Sequence, residues 1–370
     1  MLRDSGHVQE KQAENISYHR AKRGEPPVEP LYTQADAEQV APLLKSVPYD
    51  EVFEPAPGVT AKLVEAGHIL GSAAVVLDVE EKRRKKRRVW FSGDIGRRDL
   101  PILRDPVLPQ EADILVMEST YGDKPHRDPE EAYVEMRDVI LKTLNRGGKV
   151  IVPCFAVGRT QELVYNLSRM YDDGDLPNVP IYVDSPLAVN ASKIFREHPE
   201  CFDSEMLELI RTGHPALEFK LLTYVHELEE SKALNERKDP MIVISASGMA
   251  EVGRIVYHIR WGIENPRNTI MIVSWQAPHT LGRRLADREK RVRIFGETYR
   301  RRAEVATIGG LSAHAGQNML TEYAMNVKSN AKQVFLVHGE KKPAKALKEK
   351  LVVQGLSQVY YPELHSNVEI

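Results

Sequence analysis

The sequence has 370 residues, a formal net charge of -2, 42% hydrophobic residues and 28% charged residues. This length allows two domains with a sizeable core, and the composition is that of a soluble globular protein. No apolar run approaches the ~20 residues that a membrane-spanning helix needs, and the polar first residues lack the apolar core of a signal peptide. Two cysteines, Cys154 and Cys201, are too few for a disulfide framework. We therefore expect a cytoplasmic protein with reduced thiols, in which Cys154 is buried.

The near-neutral charge gives no global indication of nucleic-acid binding, although basic residues cluster locally. The longest basic run, Lys82 to Arg88, lies between two strand-like segments. We interpret it as the solvated tip of a hairpin. Contact with RNA phosphates is the alternative, since phosphate binding is largely electrostatic.

The first half of the chain changes from helical to strand-like character. Its first fifty residues are polar and helical, with a proline-rich break at 25–32 and a second helix at 33–44 for which Thr33 is the expected N-cap. Short strands are then predicted at 59–67, 72–80, 87–93 and 112–120. Their alternation and glycine or proline breaks favour layered β-structure.

After Gly122 the pattern changes to apolar strands that alternate with helices. Helices are predicted at 128–148 and 158–171, and strands at 149–155, 178–186, 239–247 and 268–275. This alternation is typical of a parallel, doubly wound α/β unit. From about Lys290 the chain returns to strand, helix, strand and helix.

Five motifs place a histidine or a carboxylate where an apolar run gives way to small residues. They are His68 in AGHILGSA, Asp94 in FSGDIGR, Glu118 in VMESTYG, His314 in GGLSAHAG and His338 in FLVHGE. Each has an ordinary structural alternative, since a lone histidine is usually structural and aspartate is common in turns. Neutral imidazole and carboxylate are also the usual ligands of a hydrolytic zinc ion.

As a set, the five motifs resemble the β-CASP branch of the metallo-β-lactamase superfamily, whose zinc-dependent nucleases process RNA and in some cases DNA. The resemblance implies that His68 binds a first zinc, that Asp94 bridges two zincs and that His338 binds the second. It implies that His314 is the general acid and that Glu118 orients it and keeps it protonated. The expected reaction is two-metal hydrolysis of RNA phosphodiester bonds.

The resemblance also implies an α/β fold made of an incomplete metallo-β-lactamase-like αββα sandwich and an inserted, doubly wound β-CASP domain. Because the motifs flank the α/β block on both sides, we expect a discontinuous first domain at 1–122 and 291–370. The insert is then 123–290.

Three further segments resemble the substrate side of this family. The turn PCFAVGRTQE is expected to offer free backbone N–H groups to a phosphate, although it could be an ordinary strand-to-helix turn. SASGMAEVGR and the Thr-Leu-Gly-Arg-Arg stretch are expected to approach substrate closely. The predicted substrate-binding residues are Arg159, Ser247, Gly248, Arg254, Thr280, Arg283 and Arg284. The expected partner is single-stranded RNA, and a homodimer is left open.

One family motif, His-x-His-x-Asp-His, is not found, and no His-x-His occurs anywhere in the sequence. Alignment by motif order would place that motif before Met1. Three explanations are open: a truncated gene or gene product, a chain that has lost catalysis and serves as a non-catalytic RNA-binding or assembly subunit, and a fragment that pairs with a separate N-terminal piece. His68, Asp94 and His338 would be three ligands for two zincs, so we expect this chain to bind zinc weakly and to be inactive by itself.

Overall fold

The structure is a computed structural model, and it describes residues 1–80, 86–214 and 217–367. The strands within these residues are β1 (Val52–Ala56), β2 (Val59–Glu65), β3 (Ala73–Val79), β4 (Arg87–Phe91), β5 (Ile114–Glu118), β6 (Lys149–Pro153), β7 (Ile181–Val183), β8 (Leu222–Tyr224), β9 (Met241–Ser245), β10 (Thr269–Ile272), β11 (Arg291–Ile294), β12 (Glu297–Arg300), β13 (Glu304–Thr307), β14 (Gln333–Val337) and β15 (Val359–Tyr360). The α-helices are α1 (Leu2–Ala21), α2 (Gln34–Val40), α3 (Pro129–Asn145), α4 (Arg159–Asp172), α5 (Pro186–Glu197), α6 (Ser204–Arg211), α7 (Leu228–Glu236), α8 (Arg254–Gly262), α9 (Leu281–Ala286), α10 (Gln317–Met325) and α11 (Lys341–Val353). The predicted α/β fold class is confirmed.

Residues Met1–Val47 form one compact unit and Pro48–Ile370 a second. The first unit contains α1, α2 and a short 3₁₀ turn at Ala41–Leu43. The prediction that Thr33 caps a helix is confirmed, because its hydroxyl accepts from the Asp36 N–H and the Asp36 carboxylate accepts from the Thr33 N–H. This reciprocal pair satisfies two backbone donors that a helix start leaves unpaired.

The first sheet of the larger unit has seven strands in the order β1-β2-β3-β4-β5-β14-β15. Strands β2, β3 and β4 pair antiparallel in succession, and β5 and β14 then continue parallel to β4. It follows that β2, β4, β5 and β14 all run in the same direction. Their carboxyl ends therefore meet at one edge of the sheet, which we call the carboxyl edge.

The second sheet has six strands in the order β13-β10-β6-β9-β7-β8, and every neighbouring pair is parallel. All residues of β9 and β10 are buried, as expected for strands covered on both faces. Strand β13 pairs with β10 throughout Glu304–Thr307. The chain thus leaves this sheet after Thr307, and the domain bounds 1–122, 123–290 and 291–370 stay a prediction. The sequence pattern alone could not assign β13 to either sheet.

Each sheet has its own apolar core. One core packs β4, β5 and β14 against α10 and α11 through side chains such as Leu115, Leu320 and Leu347. A second core fills the space around β6 and β9 and includes Cys154, whose pKa burial raises to about 12. A third core packs β10, β11 and β13 against α8 and α9. Cys154 and Cys201 are both buried, free thiols.

The predicted hairpin tip falls largely outside the described residues, which exclude 81–85. Its last residues are visible on β4, where the Arg88 guanidinium donates to both carboxylate oxygens of Asp78 at 2.8 and 2.9 Å. Lys86 lies 3.2 Å from the same carboxylate. These two cations are therefore neutralised within the sheet.

A buried hydrogen bond joins this sheet to α10, and it provides a test of the packing. The Trp90 indole N–H donates to the Tyr323 hydroxyl at 2.8 Å, and both side chains are almost fully buried. Tyr323→Phe leaves the indole N–H unsatisfied and should lower the free energy of unfolding by about 1–3 kcal/mol. Urea unfolding measures the change. Tyr257→Phe, which removes an exposed hydroxyl, is the control; equal stability of both variants would contradict the account.

Candidate metal centre

Four of the five predicted residues lie just beyond strand ends at the carboxyl edge. His68 follows β2, Asp94 follows β4, Glu118 ends β5 and His338 follows β14. Parallel pairing places Val337 opposite Glu118, so the ends of β5 and β14 are adjacent. His314 reaches the same edge from the loop after β13, through a bridge to Gly96. The structure thus brings all five side chains together.

The loop after β4 holds the site together by close backbone contacts. Gly96 donates to the Ala66 carbonyl, and the Ile95 carbonyl accepts from the Ala315 N–H, each at 2.7 Å. A Cβ at Gly96 would lie 1.8 Å from the Gly67 carbonyl oxygen, so only glycine permits this packing. The SGDIG motif is therefore required by packing as well as by its carboxylate.

The turn that carries His68 is fixed by the serine of the same motif. The Ser72 hydroxyl accepts from the backbone N–H groups of His68 and Ile69, at 3.0 and 3.3 Å. The buried Glu65 carboxylate accepts from the Gly67 N–H at 2.8 Å. The GHILGS pattern thus closes a tight loop that aims the imidazole inward.

Asp94 lies between two histidines. One carboxylate oxygen is 3.8 Å from His68 Nε2 and the other is 3.2 Å from His338 Nδ1. The ring centroids of His68 and His314 are 4.4 Å apart, and those of His314 and His338 are 5.8 Å apart. A shared carboxylate with an imidazole on each side is an arrangement suited to bridging.

Glu118 and His314 form a buried ion pair. Burial acts to raise the pKa of Glu118, but donors at His314 Nδ1 (3.0 Å), the Thr120 N–H (3.3 Å) and the Ile95 N–H (2.7 Å) outweigh it and lower the pKa. Burial acts to lower the pKa of His314, but the Glu118 carboxylate outweighs it and the pKa is raised. His314 is thereby favoured as an imidazolium, with Nδ1 directed at Glu118.

The pKa of His68 is shifted in the opposite direction. Burial, together with the charge of His314, lowers its pKa in spite of Asp94 and Glu118. A neutral imidazole is the form that binds a metal. The pKa values of the neighbouring His68 and His314 are thus shifted in opposite directions.

The donor set fits a zinc ion. Candidate ligand atoms of His68, Asp94 and His314 lie within 4.8 Å of one another, as do those of Glu118, His314 and His338. Among the described residues, the buried Nδ1 of His68 has no hydrogen-bond partner. Both groups include His314, whose Nδ1 is directed at Glu118. Imidazole and carboxylate suit zinc, and the assignment of His68, Asp94 and His338 as its ligands stays a prediction.

Comparison with known proteins agrees with this geometry. The Beta-Casp domain matches residues 160–285, and the Zn-dependent metallo-hydrolase RNA specificity domain matches residues 298–362. Ribonuclease TTHA0252 of Thermus thermophilus is 38% identical over 328 residues, which is 88% of this chain and 73% of that protein. The RNase J-like protein of Methanocaldococcus jannaschii is 30% identical over 84% of this chain and 70% of its own length. Transcription termination factor FttA of Thermococcus kodakarensis is 34% identical over 85% of this chain, which spans 49% of that relative.

The chain belongs to the β-CASP family. The predicted family and the predicted class, a metallo-hydrolase with ribonucleases among its relatives, are therefore confirmed. The match to a zinc-dependent metallo-hydrolase domain includes both His314 and His338. Within the part of the chain that the structure describes, no helix combines the length and apolarity needed to cross a bilayer.

The three segments expected on the β-CASP substrate side lie together beyond the carboxyl ends of β6, β9 and β10. A Cβ at Gly248 would lie 3.0 Å from the Phe155 ring, and the Gln276 side chain donates to the Gly248 carbonyl at 3.0 Å. A Cβ at Gly158 would lie 3.0 Å from Ile69, the neighbour of His68. These loops therefore continue from the carboxyl edge of the first sheet.

The turn before α4 differs from its expected state. The Gly158 N–H donates to the Gln161 side chain at 2.7 Å, and the Thr160 N–H donates to the Phe155 carbonyl at 3.2 Å. These two N–H groups are therefore used within the turn, and phosphate binding by the turn stays a prediction. The Arg159 guanidinium is also buried and ion-paired with Glu162. Its contact with substrate stays a prediction, and the ion pair would have to open first.

Arg254 also belongs to a buried network of ion pairs and hydrogen bonds. Its guanidinium lies 2.7 Å from a carboxylate oxygen of Asp184, which is fully buried, and donates to the His226 carbonyl at 2.7 Å. Asp184 also accepts from Ser231 at 2.5 Å and contacts His258 Nε2 at 2.6 Å. Arg254 therefore anchors the start of α8.

The remaining predicted residues fall into two groups. Ser247 bonds within its own loop, to the Val252 carbonyl at 3.2 Å, and Thr280 caps α9 by accepting from the Arg283 N–H at 3.1 Å. Arg283 and Arg284 are partly exposed, paired with Asp287 and Glu289. Exposed pairs of this kind are weak, so these two guanidiniums can turn to an anion at little cost.

Two residues near the site were not found from the sequence. Arg97 is buried and donates to the carbonyls of Gly310 and Arg127, which ties the SGDIG loop to the loop of His314. His126 packs against Tyr121 with ring centroids 4.6 Å apart, and burial lowers its pKa to about 4. Arg97 could have been noticed in the sequence, because it directly follows the SGDIG motif. No sequence pattern pointed to His126.

Removing the charge of Glu118 tests the electrostatics of the ion pair. Glu118→Gln should lower the pKa of His314 in the metal-free protein, because the amide no longer stabilises the imidazolium. NMR titration of the His314 ring proton measures the shift. Glu200→Gln, a change at an exposed glutamate, is the control; an unchanged His314 pKa in Glu118→Gln would contradict the account.

The Asp184 network gives a stability prediction with a defined pH dependence. Burial acts to raise the pKa of Asp184, but His258, Ser231 and Arg254 outweigh it and lower the pKa. This stabilisation is present above the unfolded-state pKa of about 3.9 and is lost as the pH falls through the lower folded-state pKa.

Asp184→Asn should therefore destabilise the protein at neutral pH by about 3–5 kcal/mol, since it leaves the Arg254 guanidinium without its buried carboxylate partner. It should also flatten the loss of stability in acid. Thermal unfolding from neutral to acidic pH measures both effects, with the exposed Asp239→Asn as control. A thermal unfolding midpoint of Asp184→Asn that is unchanged at neutral pH would contradict the prediction.

Proposed function

We propose that His68, Asp94, Glu118, His314 and His338 form the reactive centre of a zinc-dependent ribonuclease that hydrolyses phosphodiester bonds of single-stranded RNA. The observation that carries the proposal is their convergence at one edge, with a charged Glu118–His314 pair beside an imidazole–carboxylate ligand set. The family relationship supports RNA as substrate, since the relatives carry the names ribonuclease and RNase J-like protein.

His68 and Asp94 would hold one zinc, and Asp94 and His338 a second. Asp94 is suited to be shared because its two oxygens are directed at different histidines. Zinc bound there would stabilise the negative charge that develops on the scissile phosphate. The lowered pKa of His68 keeps that imidazole available as a ligand at neutral pH.

His314 would supply the proton for the leaving oxygen. The Glu118 carboxylate fixes Nδ1, which leaves Nε2 to donate. Because Glu118 raises the pKa of His314, the acid stays protonated over a wider pH range. Glu118 itself is almost fully buried and acts on the reaction through His314.

Arg283 and Arg284 are the basic side chains that we assign to the RNA backbone. They are partly exposed and hold only exposed carboxylate partners, whereas Arg159 and Arg254 are held by buried ones. A polyanion needs such local charge on a chain whose net charge is -2. Gly248 and Thr280 would shape the path of the RNA between these loops.

Three protein ligands serving two zincs make a weak site. We therefore infer that these 370 residues alone bind zinc poorly and cleave RNA slowly or not at all. A version extended by a segment that carries His-x-His-x-Asp-His would supply the additional ligands. A non-catalytic RNA-binding subunit is the competing function, favoured only by the ligand count.

Cleavage of 5′-labelled RNA at saturating zinc distinguishes the two functions. The extended protein should cleave, Asp94→Ala should abolish cleavage, and His314→Ala should slow it by roughly 10²–10⁴-fold, the usual contribution of a general acid. The rate should fall as the pH rises through the raised His314 pKa, and His314→Ala should lose that dependence. His198→Ala, at an exposed histidine outside the cluster, should cleave normally. An extended protein that binds RNA but never cleaves it would establish the subunit instead.

A further inference from the structure

A cavity of about 240 Å³ opens at the amino ends of the second sheet's strands. Lys149 begins β6, Asn268 directly precedes β10, and Lys238 lies just before β9. Helices α7 and α8 contribute Asn235 and Trp261. We call this cavity the accessory pocket; with Arg267, these residues define it.

The accessory pocket is basic. Its lining has four cationic side chains, Lys149, Arg237, Lys238 and Arg267, against one carboxylate, Glu236. Arg237 is paired with Asp239. Lys238 and Arg267 are exposed and have no ion pair with any residue that the structure describes. The mouth of the pocket therefore carries two positive charges that are available to bind a phosphate.

An exposed aromatic surface continues from the pocket. Trp261 is 59% exposed and Tyr257 is 49% exposed, and their i,i+4 spacing on α8 places them on one face. The Phe295 ring, 54% exposed, lies against Tyr257 with centroids 4.7 Å apart. Aromatic rings beside a basic groove are the usual platform for the bases of single-stranded nucleic acid.

The inner part of the pocket offers polar groups that a nucleobase could use. The Asn235 side-chain oxygen is buried and has no hydrogen-bond partner among the described residues. Lys149 Nζ donates to the Leu234 carbonyl at 3.0 Å and has further donor capacity. An unsatisfied acceptor next to an ammonium donor suits the edge of a base, which presents both donors and acceptors.

The accessory pocket is separate from the metal centre. The loops at Phe155 and Gly248, which continue to His68, follow the carboxyl ends of β6 and β9, whereas the pocket lies at their amino ends. Five-residue strands separate the two ends by roughly 17 Å. One RNA chain could contact both only by passing along the second sheet.

We propose that the accessory pocket and the adjoining rings of Trp261 and Tyr257 form a second binding site for single-stranded RNA. Lys238 and Arg267 hold phosphates at the mouth, a base enters toward Asn235, and a neighbouring base stacks on Trp261. The proposal rests on RNA being the substrate of this protein. We favour RNA over a protein partner because the aromatic surface adjoins Lys238 and Arg267, which have no ion pair among the described residues.

Fluorescence anisotropy of a short labelled oligoadenylate, titrated with the full chain, tests this site. Trp261→Ala should weaken binding by roughly ten-fold, and Trp261→Phe should retain most of the affinity, because stacking needs only a ring. Lys238→Ala with Arg267→Ala should lower the slope of log affinity against log salt by about 1.4, or about 0.7 for each phosphate contact on a single strand.

The matched control is Lys193→Ala with Arg211→Ala, which removes two exposed charges from α5 and α6. It should leave both affinity and salt slope unchanged. In the same assay, Arg283→Ala with Arg284→Ala measures how much RNA binding depends on the proposed site near the metal centre.

The outcomes separate this site from the proposed function. If only the Arg283–Arg284 variant weakens binding, the accessory site is disproved while the ribonuclease proposal stands. If neither the unaltered chain nor any variant binds RNA, the accessory site is disproved, while cleavage by the extended protein decides the ribonuclease proposal. If Trp261→Ala leaves RNA binding intact but turns a dimer into a monomer in sedimentation, the surface is an interface between copies, and the RNA assignment fails.

Discussion

The buried carboxylate of Glu118 is the group on which the site depends. An ionised carboxylate is costly to bury unless hydrogen bonds and an opposite charge compensate for it. Here the compensation comes from the Ile95 N–H, the Thr120 N–H and the His314 imidazole. Ile95 and His314 belong to loops after strands of two different sheets. Stabilising one charge therefore fixes the position of two loops, and with them Asp94 and His314.

The same constraint shifts the pKa values of two neighbouring histidines in opposite directions. Their rings are 4.4 Å apart, yet the pKa of His314 is raised and that of His68 is lowered. Of these two histidines, only His314 is hydrogen-bonded to Glu118, and this bond is the main reason that its pKa is raised. Under the proposed function, His68 would be the metal ligand and His314 the acid.

The sequence predicted those parts of the molecule in which a local pattern determines the outcome. Thr33 with Asp36 defines a helix start, and apolar runs such as KVIVP define strands, because capping and burial act over a few residues. The five site residues were predicted because each follows such a run. The convergence of His68, Asp94, Glu118 and His338 follows from strands that run in one direction, whereas His314 reaches them from the loop after β13.

What the sequence did not reveal depends on side-chain partners that residue type alone does not specify. Arg159 and Arg254 were expected at the substrate, but Arg159 is held by Glu162 on the next turn of its own helix, and Arg254 is held by Asp184 from a distant part of the chain. The Gly158 N–H before α4 is used by Gln161, a residue whose capping role its type alone does not indicate. Similarly, β13 joins the second sheet because of its register with β10, which no local pattern specifies.

We propose that Asp94 is shared between the ligand sets of His68 and His338. Calorimetric titration with zinc, on the 370 residues and on a form extended by a His-x-His-x-Asp-His segment, is the most direct test. Two zincs should bind to the extended form at micromolar or better affinity, and the 370 residues should bind zinc weakly or not at all. Asp94→Ala in the extended form should disrupt both sites. Tight binding of two zincs by the 370 residues, or by the extended Asp94→Ala protein, would contradict it.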